Sequence, residues 1–565
     1  MAQEPESSTL SPPPTPTKES NEAAKTTEEH EYPSTSKLWI LMSSLYIAMF
    51  LVALDKTIIA TAIPQITNSF GSLRDIGWYG SSYMITLCAF QLLWGRIYTF
   101  YSPKMVFLLS ILIFEIGSAV CGAAPTSVAF IVGRAISGMG SAGISNGAII
   151  IVVHTVPLAK RPMFQGLIGA VFGVASVVGP LLGGVFTERV TWRWCFYINL
   201  PLGAVSAIII ILILELPNPP EAGKLPIRDQ LKKLDPIGTI LFLPGTICLL
   251  LALQWGGTTY DWSEWRVVLL LVLFPILLLL FIIHQWRVGD NATLPIRIMT
   301  QRTIASGFLY TFTNQAALLC ITYYIPLFFQ ALKNFSPLSS GLATLPTILG
   351  LVIGMIGAGG LVQRFGYPAP FMYVASILSS VGAGLISTWH IDASRGVWIG
   401  YQVLYGVGAG IGAQQPSISA QCILPKKDVS MGVSLMFFGQ NMGAAVFLSA
   451  AQNVFAGSLA GSLSGIAGLH FTKEQVVNLG ATQIRELVPK ELLGEVLLAY
   501  RDAIRQAFLM GVGLAAVSCV GALGMEWVSV KKGEPTKEGG QKAEKEGDEE
   551  KGKMDEKKRG EEEKA

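Results

Sequence analysis

Long apolar stretches dominate this chain. About fourteen of them, most about 20 residues long, lie between Leu38 and Trp527. A helix of that length crosses a hydrocarbon core of about 30 Å. A secretory leader would supply only one such stretch. The sequence therefore predicts an all-α polytopic membrane protein with fourteen transmembrane helices. The expected spans are 38–62, 78–98, 104–124, 128–153, 163–187, 193–214, 237–255, 267–286, 304–328, 339–361, 369–389, 396–416, 432–455 and 504–527.

The composition agrees with this class. Hydrophobic residues make up 51% of the chain, charged residues make up 14%, and the mean hydropathy is +0.49, which is too apolar for a soluble protein of this length. The net charge of +3 gives no reason to expect a nucleic-acid partner. All seven cysteines lie in or beside apolar stretches, where a thiol packs as a small apolar group. We expect no disulfide framework, metal site or cofactor.

Both tails lack the apolar residues that folding requires. Residues 1–36 are rich in Pro, Ser, Thr and Glu, and residues 531–565 are almost wholly Lys, Glu, Asp and Gly, so we expect both tails to be disordered. The second tail matches most of a phosphate-loop pattern from Gly547 to Lys553, but Met554 replaces the usual Ser or Thr and no strand precedes it. The sequence does not indicate a nucleotide-powered pump.

The short loops predict the orientation. One set of alternate loops is rich in Lys and Arg, and the opposite set holds few cations. The richer side is expected to be cytoplasmic, which places both termini in the cytoplasm. The cations of the richer side are Arg96, Lys104, Lys160, Arg161, Lys224, Arg228, Lys232, Lys233, Arg287, Arg297, Arg302, Arg364, Lys426 and Lys427.

A long loop at 456–503 is predicted on the outer side. It carries a capping-box pattern at 472–475 and apolar residues at helical spacing from Leu492 to Tyr500. We interpret this second segment as a helix on the membrane surface. A role in gating substrate is the alternative.

A weak internal repeat divides the chain. The turn from Gly95 to Lys104, after the second span, resembles the turn from Gly359 to Gly366, which contains Arg364 and follows the tenth span. Small residues let two helices approach, and a cation suits a cytoplasmic helix end. The repeat predicts six-helix bundles at 37–215 and 304–530, with two further spans in a linker at 216–303.

Several motifs together resemble the major facilitator superfamily, and specifically the fourteen-helix drug:proton antiporters and their fungal toxin-efflux branch. The similar segments are 54–64 in the first span, 133–140 in the fourth, Gly166 and 179–184 in the fifth, 192–201 after it, 324–330 in the ninth, and 336–341 after that. The resemblance covers about residues 38–530. Three positions depart from the family pattern. Thr99 and Gln363 stand where the turns usually have a carboxylate, which predicts a weaker conformational latch, and Ala175 replaces a glycine.

Among the ionisable residues within the predicted spans, Asp55, Glu115 and Arg134 are the functional candidates. A charge at the bilayer centre costs at least about 2.5 to 3.5 kcal/mol, so these residues are candidates for proton coupling. Asp55 and Arg134 fall in the outer halves of their helices and can pair, and a fixed structural ion pair is the alternative role. Burial favours a neutral Glu115, which suits a proton carrier or a permanently protonated carboxyl. We interpret Lys56 as a side chain that reaches the interface or pairs locally.

The second half of the chain supplies neutral polar and aromatic groups instead of embedded acids. If several of them face one cavity, they can hold a bulky organic molecule by hydrogen bonds and stacking, and otherwise they bond across helices. The predicted substrate-binding residues are Asn314, Gln315, Tyr324, Gln402, Gln414, Gln440 and Asn441.

The predicted conformational motifs are rich in glycine. Pro180 removes a backbone donor and the glycines permit close packing, so either helix association or a bend for rocking motion explains the fifth-span motif. The motif residues are Gly95, Lys104, Gly179, Pro180, Gly183, Gly184 and Arg364.

The resemblance implies a secondary transporter rather than an enzyme. We expect a monomeric, proton-coupled exporter of small amphipathic organic compounds, such as toxins, secondary metabolites or drugs, in the plasma membrane, working by alternating access. A vacuolar or vesicle membrane is the alternative location. The alternative functions are uptake or vacuolar exchange of a siderophore, amino acid or other nutrient, and a membrane sensor that binds a ligand without moving it.

Overall fold

A computed structural model describes residues 33–72, 75–216, 233–257, 259–464 and 491–531, with a few isolated positions between these ranges. Within them the regular structure is helical, and an isolated bridge between Gly256 and Tyr260 is the β-type pairing. Most of the two predicted disordered tails and the capping-box pattern at 472–475 lie outside the described residues.

Fourteen helical elements are numbered here in chain order over those residues. They are α1 (Thr35–Phe70), α2 (Ile76–Phe100), α3 (Pro103–Ala123), α4 (Ser127–Thr155), α5 (Arg161–Arg189), α6 (Trp194–Tyr197 continued by Asn199–Ile213), α7 (Pro236–Trp255), α8 (Trp265–Val288), α9 (Arg302–Ala331), α10 (Pro337–Ala343 continued by Leu345–Phe365), α11 (Ala369–Ser387), α12 (Arg395–Gly412 continued by Gln415–Ile423), α13 (Val429–Ser464) and α14 (Leu493–Leu523). Short helical turns lie in the connections at Leu158–Lys160, Gly289–Asn291 and Ile296–Met299.

Twelve helices in the described ranges are long and apolar enough to cross a membrane. The predicted spans at 78–98 and 396–416 coincide with α2 and α12, which are not among these twelve. Polar residues such as Gln91 and Gln402 lower the hydropathy of these two helices, and both side chains are fully buried between helices. The all-α polytopic architecture is confirmed, and the count of fourteen crossings stays a prediction.

The helices pack in two sets with a pair beside them. In the first set (α1–α6), α1 packs on α5 and α6, and α4 packs on α2 and α3. In the second set (α9–α14), α9 packs on α13 and α14, and α12 packs on α10 and α11. The pair α7 and α8 pack on each other, and α7 also reaches α2 and α13. The exact domain boundaries stay a prediction.

One end of the bundle collects the cations of the predicted cytoplasmic loops, and we call it the basic end (Lys104, Arg161, Arg297 and Arg364). Here Lys104 Nζ donates to the carbonyl of Ile211 at 2.7 Å, which joins the start of α3 to the end of α6. The first and last described segments also lie at this end. Trp39 packs on Phe164 with ring centroids 5.6 Å apart, and Val530 donates its N–H to Gly366 at 2.8 Å.

The predicted outer loop is shorter than 456–503, because α13 continues to Ser464 and α14 begins at Leu493. The prediction of a separate surface helix near 492–500 was wrong. Val496 and Tyr500 belong to α14, and Tyr500 packs on Phe455 of α13 with ring centroids 6.0 Å apart. The apolar stripe is therefore buried between two helices that extend beyond their apolar spans.

Asp235 anchors the α7–α8 pair at the basic end. Its carboxylate accepts hydrogen bonds from His284 and Gln285 at the end of α8, from the N–H and hydroxyl of Thr293, and from the N–H of Gly238. Burial by itself raises the pKa of this carboxyl, but the hydrogen bonds outweigh burial and lower the pKa to about 2. The anchor therefore stays charged, and intact, at physiological pH.

Candidate functional site

A buried ion pair joins α1 to α4. Arg134 Nη1 donates to Asp55 Oδ2, and Arg134 Nε donates to the carbonyl of Tyr79 on α2 at 3.0 Å. Both charged side chains are 1% exposed or less. The prediction that these two residues can pair is therefore realised in the geometry. Their part in proton coupling stays a prediction.

Aromatic rings enclose the guanidinium of Arg134. It lies 4.5 Å from the ring centroid of Tyr83 and 5.8 Å from that of Phe196. Cation–π contacts of this kind add to the Coulomb attraction where water is excluded. Asp55 Oδ1, in contrast, has no hydrogen-bond partner among the described residues. Within the described part of the chain, the aspartate is thus held through one of its two oxygens.

Glu115 lies at a second buried polar site, between α3 and α6. Neither of its carboxyl oxygens has a hydrogen-bond partner in the part of the chain that the structure describes. The carboxyl fills the space left by Gly203, where a β-carbon would overlap it. One turn away, Asn199 donates to Ser118 at 3.1 Å, while its own Oδ1 has no donor among those residues.

A cavity of about 440 Å³ lies between the two helix sets, and we call it the central cavity. Lys56 and Arg134 line it from the first set, Gln254 lines it from α7, and Tyr323 and Gln452 line it from the second set. Gln452 donates to the hydroxyl of Tyr323 at 3.4 Å. The lining comes from the second half of α1 and the first turns of α2, so the cavity lies away from the basic end.

The remaining lining of the central cavity is mostly apolar. It comprises Ile59, Ile63, Ile76, Gly77, Gly80, Ser81, Tyr83, Met84, Ile85, Leu250, Leu319, Ala445, Leu448 and Ser449. An apolar wall with a few polar groups is typical of a site for an amphipathic organic molecule.

None of the seven predicted substrate-binding residues lines the central cavity. Gln402 is fully buried and ties α12 to α10, since it accepts from Thr347 at 2.9 Å and donates to the carbonyl of Ala343 at 3.0 Å. Tyr324 packs on Tyr323 and Phe455, and its hydroxyl has no partner among the described residues.

The other predicted substrate-binding residues lie deeper in the bundle. Gln440 donates to the carbonyl of Ala413 at 3.3 Å, and Asn441 donates within its own helix to Phe437 at 2.9 Å. Gln414 approaches Gly169 of α5. Asn314 is buried and Gln315 half-buried on α9. Gln440 thus lies near Gln414, because it bonds to the residue that precedes Gln414, and neither side chain lines the central cavity.

The fifth-span motif packs α5 on α1. A β-carbon on Gly179 would overlap the Thr57 side chain, and one on Gly183 would overlap that of Thr61. Thr57 donates to the carbonyl of Ala175, one turn before Gly179, at 3.1 Å. Gly184 faces open space, and Pro180 lies inside the helix. These contacts account for Gly179 and Gly183 by helix association.

The two sets touch closely toward the basic end. A β-carbon on Gly166 of α5 would press on the carbonyl of Met355, and one on Gly359 of α10 would press on that of Pro162. At the second contact between the two sets, a β-carbon on Gly95 of α2 would overlap the Ser434 side chain of α13. We call this interface between the two helix sets the seam. It is closed between the central cavity and the basic end.

The two turn cations, Lys104 and Arg364, contribute differently. The side chain of Lys104 holds α6, as described above, while the carbonyl of Arg364 accepts from Lys531 at 2.7 Å. In place of a turn carboxylate, Asp428 at the start of α13 holds Arg297 through two hydrogen bonds of 2.7 and 2.8 Å. That ion pair raises the pKa of Arg297. The electrostatic link at this end therefore uses residues outside the repeated turns.

Sequence reasoning missed the main polar residues of the central cavity. Lys56 follows Asp55 directly, yet it lines the cavity instead of reaching the interface. Its position within a predicted span was the available signal, because embedded cations are functional candidates for the same reason as embedded acids. Gln254, Tyr323 and Gln452 lie near predicted span ends and gave no such signal. Over the described ranges, no group of three His, Cys, Asp or Glu side chains is placed to hold a metal ion.

Comparison with known proteins gives consistent matches along the chain. The family model described as Major Facilitator Superfamily matches residues 45–448. The chain is 48% identical over 513 residues to the MFS-type efflux pump MFS1 of Trichophyton rubrum, which covers 91% of this chain and 95% of the relative. It is 46% identical over 504 residues to the efflux pump aflT of Aspergillus parasiticus, which covers 89% of this chain and 98% of the relative.

The fold resembles solved structures at low sequence identity. The crystal structure of the human organic anion transporter MFSD10 superposes with a TM-score of 0.55 at 16% identity and covers 84% of this chain and 99% of that chain. At this identity the likeness concerns the fold alone.

Proposed function

This chain belongs to the major facilitator superfamily, and we propose that it exports small amphipathic organic compounds, such as toxins or secondary metabolites, in exchange for protons. The protein is a membrane transporter, and the full-length relatives named efflux pumps support the outward direction. The proposal places it in the plasma membrane as a monomer, with both termini in the cytoplasm and without enzymatic activity.

The observation that carries this proposal is the central cavity beside the Asp55–Arg134 pair, together with a seam closed at the basic end. Alternating access requires a site that two helix bundles expose to one side at a time. If the basic end is cytoplasmic, this conformation has its cavity on the outer side of the seam. That arrangement suits release of an exported compound and uptake of a proton.

The proton-coupling residues are Asp55, Glu115 and Arg134. Among the described residues, one oxygen of Asp55 and both oxygens of Glu115 lack a hydrogen-bond partner, and Arg134 ties Asp55 to α2. One proton that moves inward releases about 2.3 kcal/mol per 100 mV and about 1.4 kcal/mol per pH unit. A tenfold substrate gradient costs about 1.4 kcal/mol. One or two protons per cycle are therefore enough.

The predicted substrate-binding residues of the second half have a place in the opposite conformation. Gln414 lies against Gly169 of α5, and it is half-buried while the seam between α5 and α10 is closed. Opening of that seam exposes it to the basic end. We propose that this group, with Gln440 nearby on α13, contacts substrate when it arrives from the cytoplasm.

Gly95→Val is expected to slow transport about tenfold and to shift the protein toward the conformation open at the basic end. A larger side chain overlaps Ser434 only while α2 and α13 are in contact, and such overpacking costs about 1–3 kcal/mol. The measurement is the labelling rate of Ser430→Cys, which lines a cavity at the basic end, by an impermeant maleimide. Labelling of the seven native cysteines is subtracted.

Gly360→Val is the matched control for this experiment. Gly360 lies in the corresponding turn of α10, and nothing lies within 4 Å of its β-carbon position. This variant is expected to transport and label like the unmodified protein. If Gly95→Val leaves both the flux and the labelling rate unchanged, the seam does not have to close during transport.

Glycosylation reports the orientation. Asn291 begins a sequon at the basic end, and Asn334 begins another in an exposed loop at the opposite end. If the basic end is cytoplasmic, no glycan is expected on Asn291, and any glycan is confined to Asn334. Glycosidase treatment followed by mass spectrometry of the two peptides gives the answer. A glycan on Asn291 reverses the proposed orientation.

Flux across sealed vesicles tests the function itself. The purified protein, reconstituted at known amount, is expected to move amphipathic aromatic compounds against their gradient when the pH gradient is imposed, and not without it. A protein that binds these compounds and never moves them is a sensor. Accumulation in the same direction as the protons indicates uptake.

A further inference from the structure

We propose that the central cavity selects organic anions and that the Lys56 ammonium is the group that binds their charge. The inference rests on the proposed export function and names the substrate class of the same cavity. The export proposal uses the position of this cavity, whereas the substrate class follows from the charges that line it. The anion site depends on the cation that the cavity exposes.

Lys56 and Asp55 are neighbours that face different surroundings. Successive residues on a helix point about 100° apart, so the aspartate meets Arg134 on α4 while the lysine reaches the cavity. The close packing of α5 on α1, with Gly179 against Thr57 and Gly183 against Thr61, holds this rotation. The rotation of α1 thus separates a buried ion pair from an accessible cation.

Among the residues that the structure describes, none forms a hydrogen bond or an ion pair with the Lys56 ammonium. Its Nζ lies 5.8 Å from the ring centroid of Phe172, and the side chain lines the central cavity. An ammonium has three donors and is strongly disfavoured away from water without an anion. An anionic group bound in the cavity would give this ammonium a hydrogen-bond acceptor and a counter-ion.

The charges around the cavity favour an anion. Lys56 and Arg134 both line it, and no aspartate or glutamate is among its described lining residues. Asp55 lies behind Arg134 and neutralises that one cation. The surplus positive charge of Lys56 is therefore directed into a largely apolar space, where low dielectric strengthens attraction to an anion and repulsion of a cation.

The other residues that line the central cavity indicate the chemistry of the uncharged part of the substrate. Ile59, Ile85, Leu250 and Leu319 give it apolar faces, and Tyr323 adds an aromatic ring. Gln254, Ser449 and Gln452 supply neutral polar contacts. A volume of about 440 Å³ admits a molecule of several fused rings. The fitting substrate is an aromatic compound with one carboxylate or phenolate.

Equilibrium dialysis of the purified full-length protein in detergent tests the anion site directly. The probes are anthraquinone-2-carboxylate and its methyl ester, which share the ring system and differ in charge. The unmodified protein is expected to bind the acid at least tenfold more tightly than the ester. Lys56→Gln is expected to remove that preference. It should lower the affinity for the acid at least tenfold and change the affinity for the ester little.

Two further variants make the result specific to the charge in the cavity. Lys56→Arg keeps a cation and is expected to keep most of the preference for the acid. Lys37→Gln makes the same substitution at an exposed position on the same helix and is expected to bind both probes like the unmodified protein. Thermal unfolding of each variant shows whether it is folded.

The outcomes separate this inference from the export proposal, since dialysis needs neither a gradient nor flux. Three results overturn the anion site. The unmodified protein binds acid and ester equally, it does not bind the acid, or Lys56→Gln lowers the affinity for both probes equally. If Lys56 governs acid binding but no compound crosses vesicles, the anion site stands and the export proposal falls. If neutral compounds are exported and the acid is not bound, the export proposal stands and the anion site falls.

Discussion

Arg134→Ala is expected to abolish pH-driven flux and to lower the free energy of unfolding by about 3–5 kcal/mol. The substitution leaves Asp55, which is fully buried, without its counter-ion, and it removes the hydrogen bond to the carbonyl of Tyr79. It also empties the space between the rings of Tyr83 and Phe196. Flux in proteoliposomes and denaturant unfolding in mixed micelles measure the two effects.

Two further variants complete this test. One removes the charge of Asp55 without changing its size, and the other removes an exposed arginine as a control. Asp55→Asn keeps the size of the side chain, so it is expected to weaken transport more than folding. Arg266→Ala removes an exposed arginine that lies over Tyr260 at the far end of α8, and it is expected to cost less than about 1 kcal/mol. Wild-type flux in Arg134→Ala at equal reconstituted amount would show that the ion pair is dispensable for transport.

Glu115→Gln is expected to lose at least nine-tenths of proton-driven export, about a tenfold effect, while it retains substrate binding. Glutamine has the same size and fits the space left by Gly203, but it cannot take up and release a proton. The central cavity is lined by other residues, so binding should not change. The measurements are pH-driven flux and equilibrium binding on the same preparation.

Glu495→Gln is the control for this substitution. Glu495 is exposed in the first turn of α14, so its replacement is expected to leave both flux and binding unchanged. If Glu115→Gln transports against a gradient as well as the unmodified protein does, Glu115 is a structural carboxyl. Asp55 then becomes the leading proton carrier.

The sequence predicted those parts of the site that depend on helix direction and depth. Asp55 and Arg134 could be paired because α1 and α4 run in opposite directions and both residues fall at similar depth. The environment of Lys56 depends on the rotation of α1 about its axis, and that rotation follows from the close packing of α5 on α1 at Gly179 and Gly183. In a helix that is apolar all round, no periodicity reveals that rotation.

Polar residues in the second half could not be assigned from sequence for a related reason. A buried glutamine serves equally well as a substrate contact or as a link between helices, and its partner decides which. Gln402 finds Thr347 and the carbonyl of Ala343 on the neighbouring helix, and nothing in its own sequence context indicates them. Likewise, the apolar spans indicate membrane depth rather than helix ends, so the extensions of α13 and α14 were missed.

The most direct test of the central claim is the simultaneous measurement of proton and substrate movement. Proteoliposomes are loaded with an exported compound and an internal pH dye, the membrane potential is clamped, and the external pH is lowered by about one unit, which supplies about 1.4 kcal/mol per proton. Proton-coupled export predicts that the compound leaves against its gradient while the interior acidifies, and that both movements stop in Glu115→Gln. Efflux without internal acidification, or movement of compound and protons in the same direction, would contradict it.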